Sequence, residues 1–200
     1  MKSNIVIDNR KFSSQKLSLI ICTRNRAKSL EKCLYAINVD SLKSVKGELI
    51  IVDNGSVDDT QSVLDTFLNG VDIDCAVLYE PRPGLSRARN TGLECSSGNT
   101  IVFTDDDCYL DEDYINIANE IFENKPFAYC GGPILLYDKT DARYGIMEQD
   151  YFELIPPHSF LYPGKFQGAN LIINREIYEK IGGFDQELGA GTPFRCEDID

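Results

Sequence analysis

The sequence predicts an α/β fold, a mostly parallel sheet with helices on both faces, from two recurring patterns. Continuous apolar runs, LSLIICT at 17–23 and GELIIVD at 47–53, are typical of strands covered on both sides. Between these runs, Leu30, Cys33 and Leu34 recur at the spacing of an amphipathic helix. Strands that alternate with helices in this way imply right-handed crossovers and parallel neighbours.

The alternation continues to about residue 105 and then weakens. Val63, Leu64 and Phe67 give the apolar face of a helix after the second strand. The later predicted elements are a strand at 73–80, a helix at 85–95, a strand at 99–105, one or two strands within 127–137, an aromatic and proline-rich loop at 151–166, and a strand entering a helix at 168–183. We expect the second half to form a smaller lobe over the open edge of the sheet.

The start of the helix around Val63 carries a predicted capping box. Ser56 and Asp59 stand three residues apart just before the apolar pattern begins. In a capping box the two side chains accept hydrogen bonds from each other's backbone N–H groups. Aspartate replaces the usual glutamate here, and we expect the helix to begin close to these residues.

The charge balance excludes one class of partner. Twenty lysines and arginines stand against 32 aspartates and glutamates, which gives the 200 residues a net charge of −12. Such a field repels a phosphate backbone, so we expect no nucleic-acid partner. An anionic substrate would need a cation that bridges it to the protein.

The cysteines and the hydropathy indicate where the protein works. Seven cysteines occur without any Cys-x-x-Cys pair, which favours reduced core thiols in a cytoplasmic protein. No run approaches the roughly 18 apolar residues of a membrane-spanning helix, and the first 16 residues lack the apolar core of a signal peptide. We expect a cytoplasmic location, and attachment to the inner face of the membrane is compatible with it.

The residues that follow the predicted strands are mostly polar and acidic. In open α/β sheets, ligands bind outside the carboxyl ends of the strands. The strand-end residues are Thr23, Arg24, Asp53, Asn54, Glu80, Arg82, Asp105, Asp106 and Asp107. Neither a G-x-x-x-x-G-K-[ST] loop nor a G-x-G-x-x-G after the first strand occurs. This disfavours a P-loop NTPase and a conventional dinucleotide dehydrogenase.

Three consecutive carboxylates, Asp105, Asp106 and Asp107, come directly after the apolar run TIVF. Adjacent negative charges repel unless a cation or several backbone N–H groups neutralise them. Hard divalent cations bind carboxylate oxygens and often complete their shell with substrate phosphates. We therefore predict a metal site here. The alternative is a solvated acidic turn that caps the next helix near Asp111.

Six motifs in this order resemble a family-2 glycosyltransferase of the GT-A fold. They are LIICTRNR, ELIIVDNGSVDDT, PGLSRARNTG, TIVFTDDD, QGANLIINREIYEKIGGFD and FRCEDID, and they cover about residues 17–200. The resemblance implies a Rossmann-like sheet with an acceptor-side lobe. It also implies sugar transfer from a nucleotide-sugar, usually with inversion, aided by Mg²⁺ or Mn²⁺. We divide the chain into an N-terminal extension (1–16), a nucleotide-binding half (17–107) and an acceptor-side half (108–200).

The resemblance places the acidic D-x-D motif on the donor. Asp105 and Asp106 would contact the nucleotide, and Asp107 together with Asp105 would bind the metal on its diphosphate. A dication would allow an acidic pocket to accept a diphosphate. It would also stabilise the charge that develops on the leaving nucleoside diphosphate.

Four further residues would line the nucleoside pocket by the same resemblance. Asp53 would accept the imide N–H of uracil, which predicts a UDP-sugar donor; the alternative is an Asx turn. Arg89 would lie beside the base and Asp53, with Arg87 as its competitor and a solvated helix arginine as the alternative. Thr23 and Arg24 would complete the pocket.

Two motifs are assigned to the acceptor side. Asp198, with Glu197 second, would take the proton of the acceptor hydroxyl in a single displacement; the alternative is an acidic pair at a helix N-terminus. Gly168, Ala169 and Asn170 would lie beneath the donor sugar, or form a plain strand entry. The expected acceptor is a saccharide or a lipid-linked molecule, as in polysaccharide biosynthesis.

Two other functions stay open at this point. A nucleotidyltransferase-like enzyme usually has a glycine-rich basic loop after its first strand, whereas this chain continues there as CTRNR. The other is a nucleotide- or metal-binding module that keeps the fold without turnover. Because the chain stops within the Glu197-Asp198 motif, we expect a fragment of a longer transferase that binds UDP and metal but turns over slowly.

Overall fold

The structure is a computed structural model that describes residues 4–11, 15–122, 127–162 and 164–194. Its strands are β1 (Asn4–Asp8), β2 (Leu17–Thr23), β3 (Gly47–Asp53), β4 (Asp74–Tyr79), β5 (Thr100–Asp105), β6 (Tyr129–Gly131) and β7 (Leu171–Asn174). Its helices are α1 (Ala27–Tyr35), α2 (Val39–Ser44), α3 (Thr60–Gly70), α4 (Leu85–Cys95), α5 (Tyr114–Glu120) and α6 (Arg175–Ile181), with a 3₁₀ turn at Gly168–Asn170.

The described strands form one sheet in the order β1-β4-β3-β2-β5-β7-β6. The central strands β4, β3, β2 and β5 are parallel neighbours, while β1, β7 and β6 pair antiparallel with β4, β5 and β7 respectively. In this register Thr23 lies opposite Asp53, and Cys22 lies opposite Asp105. The predicted mostly parallel sheet is confirmed, and its carboxyl ends meet at one edge.

Two apolar cores cover the two faces of the sheet. Leu19 and Ile21 of β2 pack on one face with the helices α1 and α3, and Ile20 points to the other face with α4. Helix α4 lies close to the sheet because Gly92 has no side chain: a Cβ there would be 2.6 Å from Cγ2 of Ile20. The sequence-predicted helices on both faces are therefore confirmed.

A buried carboxylate fastens the amino-terminal edge of the sheet. Glu48 is fully buried, and its Oε1 accepts hydrogen bonds from the Ser18 hydroxyl at 2.7 Å, the Ser97 N–H at 2.7 Å and the Ser97 hydroxyl at 2.9 Å. Its Oε2 pairs with Arg10 at 3.0 Å. Arg10 also donates to the Cys95 carbonyl at 2.8 Å. Because Arg10 follows β1 closely, this network ties the edge strand to the core.

The first strand was not predicted. Residues 4–8 belong to the segment that the sequence analysis treated as an extension, but they pair with β4 as an edge strand of the same sheet. Ile5 and Val6 stay 48% and 49% exposed, and the pairing shifts register between Ile5 and Ile7. An edge strand with this little burial lacks the continuous apolar run that identified β2 and β3.

The predicted capping box at the start of α3 is wrong. Asp59 takes the N-cap position without a side-chain hydrogen bond. The Thr60 N–H donates instead to Oδ1 of Asp58 at 3.2 Å. Ser56 uses its hydroxyl to accept from the Asn25 N–H at 2.9 Å, so it joins two loops rather than capping a helix.

The second half of the chain follows the predicted order with shorter elements. Within 127–137 the structure has β6 and a single antiparallel bridge between Ile134 and Met147. The predicted strand and helix at 168–183 are confirmed as β7 and α6, and the helix ends at Gly182 with φ of 88°. In the part of the chain that the structure describes, no helix is long and apolar enough to cross a membrane.

The cysteines behave as apolar core residues. Every cysteine in the described ranges is free; Cys33 and Cys75 are buried and the others half-buried. Burial raises the pKa of both the Cys33 and the Cys75 thiol to about 12. These thiols therefore stay protonated at neutral pH, as expected of reduced core residues.

Candidate active site at the carboxyl edge of the sheet

The three acidic residues after β5 differ in exposure. Asp106 is buried, whereas the side chains of Asp105 and Asp107 are 43% and 46% exposed. The turn that separates them is closed by the Cys108 N–H, which donates to the Asp105 carbonyl at 3.2 Å. The motif thus presents two open carboxylates on either side of one that faces the protein.

Asp106 is held by the neighbouring strand β2. The Thr23 hydroxyl donates to its Oδ2 at 2.7 Å, and Nη1 of Arg26 lies 3.3 Å from its Oδ1. Burial raises the pKa of the Asp106 carboxyl, although the Thr23 hydrogen bond and the Arg26 charge oppose that shift. The structure therefore brings the predicted residues Thr23 and Asp106 into direct contact.

Arg26 is a site residue that the sequence analysis did not single out. It is the N-cap residue of α1, and its guanidinium forms an ion pair with Asp107 in addition to the contact with Asp106. The signal in the sequence was weak, because Arg24 and Arg26 both follow β2 in the run CTRNR. Arg24, the predicted pocket residue, is exposed at the end of the strand.

Arg89 provides a second, buried cation. It is 3% exposed on α4, and its Nη2 lies 3.9 Å from Oδ1 of Asp105. Its guanidinium carbon lies 5.8 Å from the ring centre of Phe103 and 5.3 Å from that of Phe184, within the range of a cation–π contact. The alternative of a solvated helix arginine is thus excluded, and the aromatic rings fix the guanidinium beside the acidic motif.

Asp53 is buried at the end of β3. Its Oδ1 accepts a hydrogen bond from the Ser56 N–H at 2.8 Å, which is a turn-stabilising role. This bond uses one of the two carboxylate oxygens. The turn interpretation is therefore part of the structure, and the contact with a base stays a prediction.

Polar side chains also brace the ends of β3 and β4. The Asn54 amide donates to the carbonyls of Glu80 and Arg82 at 2.9 and 2.7 Å and accepts from the Gly84 N–H at 2.9 Å. The buried Glu80 carboxylate pairs with Arg82 at 2.8 Å, and that hydrogen bond holds the pKa of Glu80 below its usual value. These contacts shape the loop that leads into α4.

The 3₁₀ turn at Gly168–Asn170 lies beside the acidic motif. Leu171 pairs with Phe103, so the turn before it flanks the carboxyl end of β5. Gly168 and Asn170 are buried and Ala169 is half-buried. Oδ1 of Asn170 accepts from the Tyr114 hydroxyl at 2.8 Å. The structure thus brings these residues to the predicted edge.

The predicted base lies beyond the described part. Glu197 and Asp198 fall in 195–200, outside the described residues. The segment that leads toward them is held by α4: Nδ2 of Asn90 donates to the Phe184 carbonyl, and the Phe184 N–H donates to Oδ1 of Asn90, both at 2.8 Å. Asn90 therefore anchors the chain at Phe184, thirteen residues before Glu197, a role that no local pattern in the sequence predicts.

The open carboxylates fit a divalent cation. Asp105 and Asp107 offer the oxygen donors that Mg²⁺ and Mn²⁺ prefer, and their half-exposed position leaves room for other ligands. Among the described residues, no three acidic, histidine or cysteine side chains are grouped so that they could hold a metal by themselves. Asp105 and Asp107 therefore fit a cation that takes most of its coordination shell from phosphate and water.

Solved structures with the same architecture identify the fold. A mannosyltransferase from Pyrobaculum calidifontis, PcManGT, solved with GDP-Man and Mn²⁺, aligns over 95% of this chain and 53% of its own, with a TM-score of 0.62 and 22% identity. Staphylococcus aureus TarS, solved with UDP-GlcNAc, aligns over 88% of this chain and 51% of its own, with a TM-score of 0.66 and 18% identity. The fold is that of the GT-A glycosyltransferases.

The chain belongs to the family Glycosyl transferase family 2, whose model matches residues 18–184. It is 25% identical over 175 residues to the glycosyltransferase AglE of Haloferax volcanii, covering 88% of this chain and 58% of AglE. It is 24% identical over 184 residues to the glucosyl-dolichyl phosphate glucuronosyltransferase of the same organism, covering 87% and 57%. The chain thus spans less than three fifths of the length of these curated relatives. The sequence-based resemblance is confirmed.

Proposed function

We propose that this chain binds a nucleotide-sugar and transfers its sugar, with inversion, to an acceptor hydroxyl. The observation that carries the proposal is the open acidic pair, Asp105 and Asp107, at the edge where Thr23 and Asp53 end the adjacent parallel strands. Family membership supports the reaction class. The nucleotide-sugars bound by TarS and PcManGT support the donor class.

In this proposal the acidic motif receives the diphosphate. Asp105 and Asp107 would hold Mg²⁺ or Mn²⁺, and the ion would supply charge neutralisation for the departing nucleoside diphosphate. Asp106, oriented by the hydrogen bond from Thr23, lies buried behind them. Arg89 reduces the repulsion among the three carboxylates, because its buried guanidinium is held beside Asp105.

The nucleoside would lie over the ends of β2 and β3. Asp53 would accept the imide N–H of uracil with the carboxylate that already accepts from Ser56. A carboxylate there favours uracil over cytosine, whose ring nitrogen carries no hydrogen. We therefore propose UDP as the nucleotide, with Arg24 beside it.

The acceptor side would use the motifs of the second half. Gly168, Ala169 and Asn170 would lie beneath the donor sugar, and Asp198, with Glu197 second, would take the proton of the acceptor hydroxyl. A saccharide or a lipid-linked molecule is the proposed acceptor. The name of one relative, the glucosyl-dolichyl phosphate glucuronosyltransferase, supports a lipid-linked acceptor. We propose that the reaction takes place in the cytoplasm or at the inner face of the membrane.

A binding module without turnover is the second candidate. A nucleotidyltransferase is disfavoured, because the family that matches is one of glycosyl transferases.

The two candidates are separated by assaying binding and turnover on the same sample. Calorimetry measures the affinity for UDP and GDP in Mn²⁺ and then in EDTA, and a panel of radiolabelled nucleotide-sugars measures donor hydrolysis. We expect tighter binding of UDP than of GDP, dependence on the cation, and donor cleavage. Cation-dependent binding without cleavage of any donor would instead identify a binding module, and equal affinity in Mn²⁺ and EDTA would remove the metal from the proposal.

A further inference from the structure

A positively charged side chain lies on the carboxylate that would bind the metal. Arg26 pairs with Asp107 through Nη2 and with Asp106 through Nη1, the latter at 3.3 Å. The side chains of Arg26 and Asp107 are 47% and 46% exposed. The ion pair therefore stands at the mouth of the site, where solvent screens it and where both side chains have room to move.

The second cation of the site is held quite differently. Arg89 is 3% exposed and packs against the rings of both Phe103 and Phe184, and its Nη2 lies 3.9 Å from Oδ1 of Asp105. Moving Arg89 would break two aromatic contacts and leave a cavity in the core. The site thus contains one immobile cation and one whose side chain is free to change partner.

The backbone under Arg26 is firmly placed even though its side chain is exposed. Asn25 adopts a left-handed φ of 54°, its N–H donates to the Ser56 hydroxyl at 2.9 Å, and its Oδ1 accepts from the Val57 N–H at 2.7 Å. Oδ2 of Asp58 accepts from the Ala27 N–H at 3.0 Å. A fixed base of this kind keeps the guanidinium within reach of the acidic motif whichever partner it takes.

We propose that Arg26 occupies the cation position on Asp107 while the donor is absent, and that it moves to the donor's diphosphate when a divalent cation takes that carboxylate. The proposal rests on the proposed function, since it assumes a nucleotide diphosphate at this edge. Two cations cannot share one exposed carboxylate without repulsion, so Arg26 and the metal compete for Asp107. A diphosphate offers the displaced guanidinium a planar, charge-assisted pair of hydrogen bonds in return.

The consequence is that metal and nucleotide bind cooperatively. Without nucleotide, the metal must displace Arg26 from Asp107 and therefore binds weakly. With nucleotide, the displaced arginine finds a new partner, so each ligand raises the affinity of the other by the same factor. Arg26 is therefore a positioning residue that couples the two binding events.

The test measures Mn²⁺ binding without any turnover. The electron paramagnetic resonance signal of free aqueous Mn²⁺ is titrated with protein, with and without UDP, for the parent chain, Arg26→Gln and Lys28→Gln. Lys28 is an exposed cation two residues further along α1, so its variant controls for the loss of one positive charge. Arg26→Lys keeps the positive charge but loses the planar, two-pronged hydrogen bonding of the guanidinium. We expect its affinities to lie between those of the parent chain and Arg26→Gln.

We expect Arg26→Gln to tighten the nucleotide-free affinity for Mn²⁺ about two- to fivefold, the range for a half-exposed ion pair. We expect the same variant to weaken UDP binding in Mn²⁺ about tenfold, because a charged hydrogen-bond donor is lost. The coupling factor between the two ligands should fall, whereas Lys28→Gln should leave it unchanged. Circular dichroism and thermal unfolding check that each variant is folded.

Two outcomes would overturn the inference. If Arg26→Gln binds Mn²⁺ and UDP with the same coupling as the parent chain, Arg26 is a surface ion pair and the proposed function stands. If the parent chain binds UDP equally with Mn²⁺ and with EDTA, both the inference and the metal-assisted function fail. The two failures are therefore distinguishable in one set of titrations.

Discussion

The two edges of the parallel sheet treat carboxylates in opposite ways. At the amino-terminal edge, Glu48 is fully buried and receives hydrogen bonds from Ser18, Ser97 and Arg10. At the carboxyl edge, the side chains of Asp105 and Asp107 are nearly half exposed. One edge has completed its polar network with residues of the chain, and the other keeps carboxylate oxygens accessible to a ligand.

This contrast shows how an acidic protein divides its negative charge between stability and binding. A buried charge is tolerated only when its hydrogen-bond capacity is filled, so Glu48 has no capacity left for chemistry. Half-exposed acids contribute little to stability, so Asp105 and Asp107 can be arranged for a ligand without a large loss of stability. Substitutions at the two edges should therefore affect different measurements.

Glu48→Ala gives the largest expected effect. If this variant were as stable as the parent chain, the contrast between the two edges would be wrong. Removing one partner of a buried, hydrogen-bonded charge pair should lower the free energy of unfolding by about 3–5 kcal/mol. Urea unfolding followed by circular dichroism measures it, with Glu31→Ala on the exposed face of α1 as the control. A loss below about 1 kcal/mol would show that Glu48 is not a structural anchor.

Asp107→Asn probes the opposite edge. We expect its free energy of unfolding to change by less than about 1 kcal/mol, because only a half-exposed ion pair is lost. We expect UDP affinity to become nearly the same in Mn²⁺ and in EDTA, because one of the two open metal ligands is gone. Calorimetry measures both affinities, and Asp65→Asn, an exposed acid on α3, is the matched control. Retained cation dependence in Asp107→Asn would assign the metal to other residues.

Asp53→Asn tests whether a buried carboxylate at the carboxyl edge only stabilises its turn or also binds the nucleotide. The amide oxygen can still accept from the Ser56 N–H, so the turn should survive. Binding of UDP should weaken by about 1.5–3 kcal/mol, the range for a hydrogen bond to a charged group. Unchanged UDP affinity in a folded variant would make Asp53 a turn residue only.

Asp106→Asn should give the smallest effect, and it should stabilise the folded protein rather than weaken it. Burial raises the pKa of the Asp106 carboxyl, so the folded state binds this proton more tightly than the unfolded chain does. The stability this contributes is present at low pH and is lost as the pH rises through the folded-state pKa. The neutral variant should therefore unfold at a higher temperature than the parent near about pH 7, and the gap should close toward about pH 4. A gap that widens in acid would contradict this account.

The central fold could be predicted because its strands are buried on both faces. The runs at 17–23 and 47–53 contain enough consecutive apolar residues to be recognised, and both coincide with strands of the structure. The helix at 85–95 also has its predicted limits. By contrast, β1 is an edge strand whose residues are half exposed, so no local pattern distinguishes it from an extension.

The candidate site was only partly predictable, for a similar reason. Strand-end acids are marked by their position after an apolar run, and Asp53, Asp105, Asp106 and Asp107 were found in that way. Arg26 and Asn90 act on residues 81 and 94 positions away in the chain. Such long-range contacts depend on how loops cross the sheet, which short-range spacing does not encode.

The two hydrogen bonds between Asn90 and Phe184 have a practical consequence for building hybrid enzymes. Arg89 and Asn90 are consecutive on α4, yet one faces the acidic motif and the other grips Phe184 by both of its backbone polar groups. Gly183 lies so close that any side chain there would collide with the Asn90 amide. A segment grafted from another family member should therefore be spliced after Phe184, with Asn90 and Gly183 kept as a matched pair, so that the graft keeps the packing of this chain against α4.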